Sequence, residues 1–71
     1  MPQASEEMRA EWGGDAGVGD DKATHHLKMN GFVLTPQWEW RKPSPDYDMT
    51  PDDWGAINFL ICEWDYGGLA A

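Results

Sequence analysis

Apolar residues change their spacing along this chain, and each spacing predicts a different element. From Trp54 onward, Trp54, Ile57, Ile61 and Trp64 recur at helical intervals, with Leu60 beside them. Thr50 stands as N-cap, Pro51 at N1, and Asp53 at N3 completes a capping box in its shorter, aspartate form. Met49 before the cap and Trp54 at N4 have the spacing of a hydrophobic staple. Gly67-Gly68 ends the helix. Phe59 and Cys62 fall off the stripe, so the apolar face is wider than one packing surface needs. Either a hairpin wraps this helix on two sides, or part of it faces a second copy.

Upstream the period shortens. Trp38 and Trp40 alternate with Glu39 and Arg41, and the apolar run Phe32–Thr35 lies across Pro36-Gln37. This predicts a tight β-hairpin with both tryptophans inward and Phe32 and Leu34 on the partner strand. Pro43 and Pro45 end the second strand, since each lacks a backbone donor. Before the hairpin, Lys22–Met29 has no helix breaker. Asp20 or Asp21 supplies an N-cap, Lys28 complements the dipole in the last turn, and Asn30-Gly31 stops the helix. Ala23, His26 and Leu27 share one face.

The first twenty residues lack such a pattern. Gly13, Gly14, Gly17 and Gly19 raise the entropy cost of ordering, and little apolar surface offsets it. Residues 1–20 are therefore expected to be a flexible, disordered acidic tail in the free protein. A short helix over Glu6–Trp12, with Met8 and Trp12 on one side, can form on binding. The fold class is α+β: a small α-β-β-α single domain over residues 21–71, with a helix packed on a β-hairpin.

Charge sharpens the picture. The 71 residues carry thirteen acids and five bases, a net of −8, sorted into blocks. Residues 1–21 hold six acids and Arg9; residues 22–42 hold four bases and Glu39; residues 43–71 hold six acids and no base. Such a field repels nucleic acid and membrane surfaces and steers the chain toward basic partners. So short a chain buries little surface, and a single cysteine, Cys62, allows no internal disulfide. The staple is aromatic instead: five Trp, two Phe and two Tyr. Cys62 reads as a small buried hydrophobe. No apolar stretch reaches the ~20 residues of a membrane span. No basic region precedes an apolar core at the N-terminus, so a cytoplasmic location in a bacterial host is expected.

Candidate chemistry is thin. His25-His26 with Cys62 raises zinc, but adjacent helical residues diverge by roughly 100° and no further ligand pair completes a tetrahedral set. His26 is expected to pack and His25 to be solvated. Asp46, Asp48, Asp52 and Asp53 crowd together without the spacing or the terminal bidentate Glu of a calcium loop. Asp53 is better explained as a cap and Asp52 as a dipole partner. No activated serine or cysteine is present, and the glycines at 13–19 neither follow a strand nor carry a Lys. Glu39 and Glu63 as an acid–base pair have nothing to raise either pKa. The expectation is a non-enzyme with no metal and no cofactor.

Acids and aromatic rings are interleaved: Trp38-Glu39-Trp40, Asp46-Tyr47-Asp48, Asp53-Trp54 and Glu63-Trp64-Asp65-Tyr66. Rings inward and acids outward accounts for most of the tryptophans. Tyr47, in a proline-rich loop, and Tyr66, just before the glycines, suit a basic interface better. There a ring supplies area and stacks on Arg while the acid pairs with it. The candidate partner-binding residues are Asp46, Tyr47, Asp48, Asp52, Asp53, Glu63, Asp65 and Tyr66. The partner class is the basic surface of a host nucleoprotein or nucleic-acid-binding protein, with no direct nucleic-acid or membrane binding. The alternative is apolar docking, or a homodimer, through the C-terminal helix.

The stretches Thr24–Leu34, Trp38–Pro43 and Ile57–Gly68 resemble small acidic proteins encoded by bacteriophages and other mobile elements. That class includes inhibitors that occupy nucleic-acid sites on host machinery, among them anti-CRISPR proteins and inhibitors of host transcription. The resemblance implies a host inhibitor acting by nucleic-acid mimicry or occlusion. It assigns no functional residue, because the class shares no motif.

Overall fold

A helix begins where a side chain accepts the backbone donors that its first turn leaves unpaired. In the computed structural model, which describes residues 4–14 and 19–70, three side chains do this. Ser5 caps α1 (Glu6–Trp12) by accepting from the Met8 N–H at 3.2 Å. Asp21 caps α2 (Lys22–Met29) through the Thr24 N–H at 2.7 Å. The α2 C-terminus closes as a Schellman motif: Gly31, at φ +90°, donates to the Lys28 carbonyl at 3.1 Å, and Phe32 donates to the Leu27 carbonyl at 2.9 Å. This turn delivers Phe32 into the core beside Leu27.

Two short strands follow, β1 (Val33–Leu34) and β2 (Glu39–Arg41), paired antiparallel with Leu34 opposite Trp40. Then α3 (Pro51–Trp64) begins at the predicted capping box, in which Thr50 Oγ1 accepts from the Asp53 N–H at 3.1 Å and Asp53 Oδ2 from the Thr50 N–H at 3.0 Å. After α3 the chain turns back. Gly67 sits at φ +111°, and a Cβ there would meet Leu60 Cβ at 2.6 Å, so only glycine fits. The returning segment forms β3 (Gly68–Leu69), parallel to β2, giving a sheet ordered β1-β2-β3. Leu34, Trp40 and Leu69 make its inner row; Val33, Glu39 and Arg41 face out.

The α-β-β-α order is present, with α1 before it and β3 after it. Trp40 is fully buried, in one core cluster with Ala23 and Leu27 of α2, Ala56, Ile57, Phe59 and Leu60 of α3, and Phe32 and Tyr66. Three expectations are corrected. First, segment 6–12 is a docked helix, not tail, and Trp12 is buried. The expectation for residues 1–3 and 15–18 lies outside the described residues. Second, α3 is rotated relative to the predicted stripe: Trp54 is 44% and Ile61 36% exposed, while Phe59 is 1% exposed. The reason is α1, which covers α3 over Gly55 and clasps it at Glu63, adding a second buried face that includes Phe59. Third, Trp38 is 55% exposed with φ +63°, because β2 starts one residue later and Trp38 belongs to the turn. Among the described residues no helix is long and apolar enough to cross a membrane.

Candidate functional site

The acid–aromatic residues separate into a buried group that builds the fold and an exposed group that faces outward. Asp53, placed on the inner side of α3 by its own capping box, is 1% exposed. Its Oδ2 accepts from the Tyr47 hydroxyl at 2.7 Å and from the Thr50 N–H, and its Oδ1 lies 2.7 Å from His26 Nε2 on α2. Burial alone would push this carboxyl up. The hydrogen bonds from Tyr47, the Thr50 backbone and His26 outweigh that and hold it below the usual carboxylate range. Reciprocally, the bond to Asp53, then burial and the carboxylate's charge, push the Tyr47 hydroxyl up. The His26 ring meets Trp12 edge-on, centroids 5.3 Å apart, so α1, α2, the loop and α3 meet at one polar junction. Sealed from solvent, the carboxylate cannot receive a substrate; it fastens elements together. His25, its neighbour, is exposed.

Glu63 and Tyr66 are also engaged inside the molecule. Glu63 accepts from Arg9 Nη2 at 2.7 Å and from the Ala4 N–H at 3.3 Å, which clasps α1 to the far end of α3. Tyr66 is 8% exposed, and its hydroxyl lies 3.4 Å from Thr24 Oγ1. Burial pushes that hydroxyl up, Thr24 opposes it, and the Asp21 carboxylate adds to it. Tyr47 is half-buried with its ring edge-on to Phe32. Of the eight candidate binding residues, Asp53, Glu63, Tyr47 and Tyr66 thus have structural work.

Asp46, Asp48, Asp52 and Asp65 are exposed. The first three follow one another along the loop and first turn of α3, and none forms an ion pair among the described residues. Asp65 stands at the other end of α3, about 20 Å away at 1.5 Å per residue. The structure therefore brings three of the predicted acids together and sets the fourth apart. Asp65 has its own neighbours: Gln37, Trp38, Trp64 and Tyr66 border one concavity with it. The exposed Trp38 in this group was not predicted as a binding residue, because period-two spacing placed it inside. The signal against that reading was Pro36, whose fixed negative φ excludes the two-residue type I′ and II′ hairpin turns and calls for a three-residue loop ending in a left-handed residue, here Trp38.

Among the described residues no cluster of three His, Cys, Asp or Glu side chains is arranged to hold a metal ion. Cys62 is half-buried and unpaired.

Residues 1–71 match a family model described as phage Pam3 gp59 related protein. No curated protein and no solved structure matches the chain. A match spanning the sequence end to end covers α1 as well as the α-β-β-α unit, and on it the chain belongs to the phage Pam3 gp59-related family.

Proposed function

We propose that this phage-family protein is a non-enzymatic inhibitor that binds a basic, nucleic-acid-binding surface of a host protein machine, in the manner of an anti-CRISPR protein. The observation that carries this reading is the run Asp46, Asp48 and Asp52: three exposed carboxylates with no ion pair among the described residues, on a proline-stiffened loop, in a chain of net charge −8. Carboxylates that serve no internal bond keep their full field for a partner. The wide separation from Asp65 favours occlusion of a basic groove over stepwise imitation of a phosphate strand.

The test is charge reversal. Asp46→Lys with Asp48→Lys touches neither the cap nor a buried group, so the fold should persist. Affinity for a basic host target should fall more than about tenfold, or ~1.4 kcal/mol, because like charges now meet. Unchanged binding and inhibition at low salt would defeat the reading.

A second reading has its own support. Trp54 and Ile61 lie seven residues apart on the outward side of α3 and are both substantially exposed. Apolar docking or dimerisation through that side would leave the charge as a solubilising feature. Sedimentation that depends on protein concentration, and is abolished by Ile61→Glu, would favour it.

A further inference from the structure

Two non-glycine residues among those described have a left-handed backbone, Trp38 at φ +63° and Asp65 at φ +59°, and they border the same concavity. Left-handed geometry is costly for a residue with a Cβ, above all a bulky aromatic one, and glycine or asparagine would adopt it more easily. Strain of this kind persists where the surrounding structure holds it. Here the Trp38 N–H donates to the Thr35 carbonyl at 3.0 Å and its carbonyl accepts from Gly67 at 3.1 Å. The backbone is pinned on both sides, between the hairpin turn and the start of β3. The effect is to hold an indole 55% exposed at a place where a smaller residue would close the turn with less strain.

The concavity is an open surface notch of about 430 Å³, bordered by Gln37, Trp38, Trp64, Asp65 and Tyr66. Tyr66, buried, meets the Trp38 ring edge-on with centroids 5.1 Å apart, which fixes the indole's orientation. The Asp65 carboxylate is exposed and has no ion pair among the described residues. An oriented aromatic ring beside an uncommitted carboxylate is matched by a planar cation. A guanidinium stacks on the ring and forks onto the carboxylate, whereas an ammonium is more strongly hydrated and offers no plane. A nucleobase would stack equally well but brings phosphate toward Asp65 in a chain of net charge −8. We infer that the Trp38–Asp65 notch is a receptor for an arginine side chain presented by the basic partner protein. The inference rests on the proposed basic partner and adds an anchor about one α3 length from the Asp46–Asp52 run.

The experiment is an NMR titration of the full chain with a blocked Gly-Arg-Gly peptide, run beside peptides carrying citrulline or lysine. Citrulline keeps the shape of arginine without its charge. The expected result is saturable shifts centred on the Trp38 and Trp64 indole N–H signals and the Asp65 amide, strongest for arginine and absent for citrulline. Asp65→Asn keeps a residue that tolerates the left-handed turn, and Trp38→Gly relieves the strain while removing the ring. Each should weaken the arginine peptide about tenfold or more, with amide dispersion elsewhere retained. Equal binding of citrulline, or arginine shifts that persist in Asp65→Asn, would overturn the notch. Its failure is separable from that of the proposed function. If Asp46→Lys/Asp48→Lys loses the host target while Asp65→Asn keeps both target and peptide, the notch is wrong and the basic-partner reading stands. If the arginine peptide binds as expected but no basic host protein is bound, the notch stands and that reading falls.

Discussion

Asp53 joins three parts of this structure, because one carboxylate closes the α3 cap, holds Tyr47 and faces His26. Asp53→Asn replaces one acceptor oxygen by a donor and leaves a buried partner unpaired, at a cost of about 1–3 kcal/mol. The pH dependence has a definite sign. The folded state holds this carboxyl below its unfolded pKa of about 3.9, so its contribution is complete above that pH and is lost as pH falls through the folded value. Tyr47 behaves oppositely: its raised pKa makes the same bond complete below about pH 10 and lost as pH rises through the folded value. Thermal melts of wild type should therefore lose stability in acid, and the Asp53→Asn variant should show a shallower loss over the same range. Two tryptophans give a second contrast at this scale. Trp40→Ala removes a fully buried ring and should cost about 3–5 kcal/mol, enough to unfold so small a domain. Trp54→Ala, on the exposed side of α3, should cost under about 1 kcal/mol by the same melts. A larger loss at Trp54 than at Trp40 would mean that α3 packs with the face its sequence stripe suggested.

At the scale of elements, the decisive contact is α1 on α3. Seven residues are too few for a helix to persist alone, so this one exists by docking. Gly55 makes room for it: a Cβ there would lie 3.0 Å from Trp12 Nε1. Gly55→Leu should push the Trp12 ring off α3 and release amide protection across residues 6–12, with α2 and the hairpin unchanged by hydrogen exchange. Continued protection of that segment would show α1 held without the indole. Caps and helix stops were readable in the sequence because they depend on neighbours three or four residues apart: Asp21 with Thr24, Thr50 with Asp53, Asn30 before Gly31. The rotation of α3 was not, because it is decided by a helix forty residues upstream whose glycines argued for tail. Strand β3 has two residues and no periodicity, and it exists only through the Gly67 turn and the bonds to Trp38 and Trp40.

For the whole molecule, charge and position part company. The sequence located the acids and marked Asp53 as a cap, but it could not separate Glu63 from the acids that face out. Glu63 looked like Asp46 and Asp48 until α1 claimed it. What remains is an outward acidic run on the loop before α3, Asp65 at its other end, and an exposed α3 side between them. Binding through the acidic run must be electrostatic, and binding through Trp54 and Ile61 must not be. The most direct measurement is the affinity of the protein for the proposed basic host target as salt is raised from about 50 to 200 mM. A loss of tenfold or more across roughly one halving of the Debye length is expected if exposed carboxylates carry the interface, and the slope should shrink in the Asp46→Lys/Asp48→Lys variant. An affinity that stays flat with salt in both proteins would contradict the account and assign binding to the apolar side of α3.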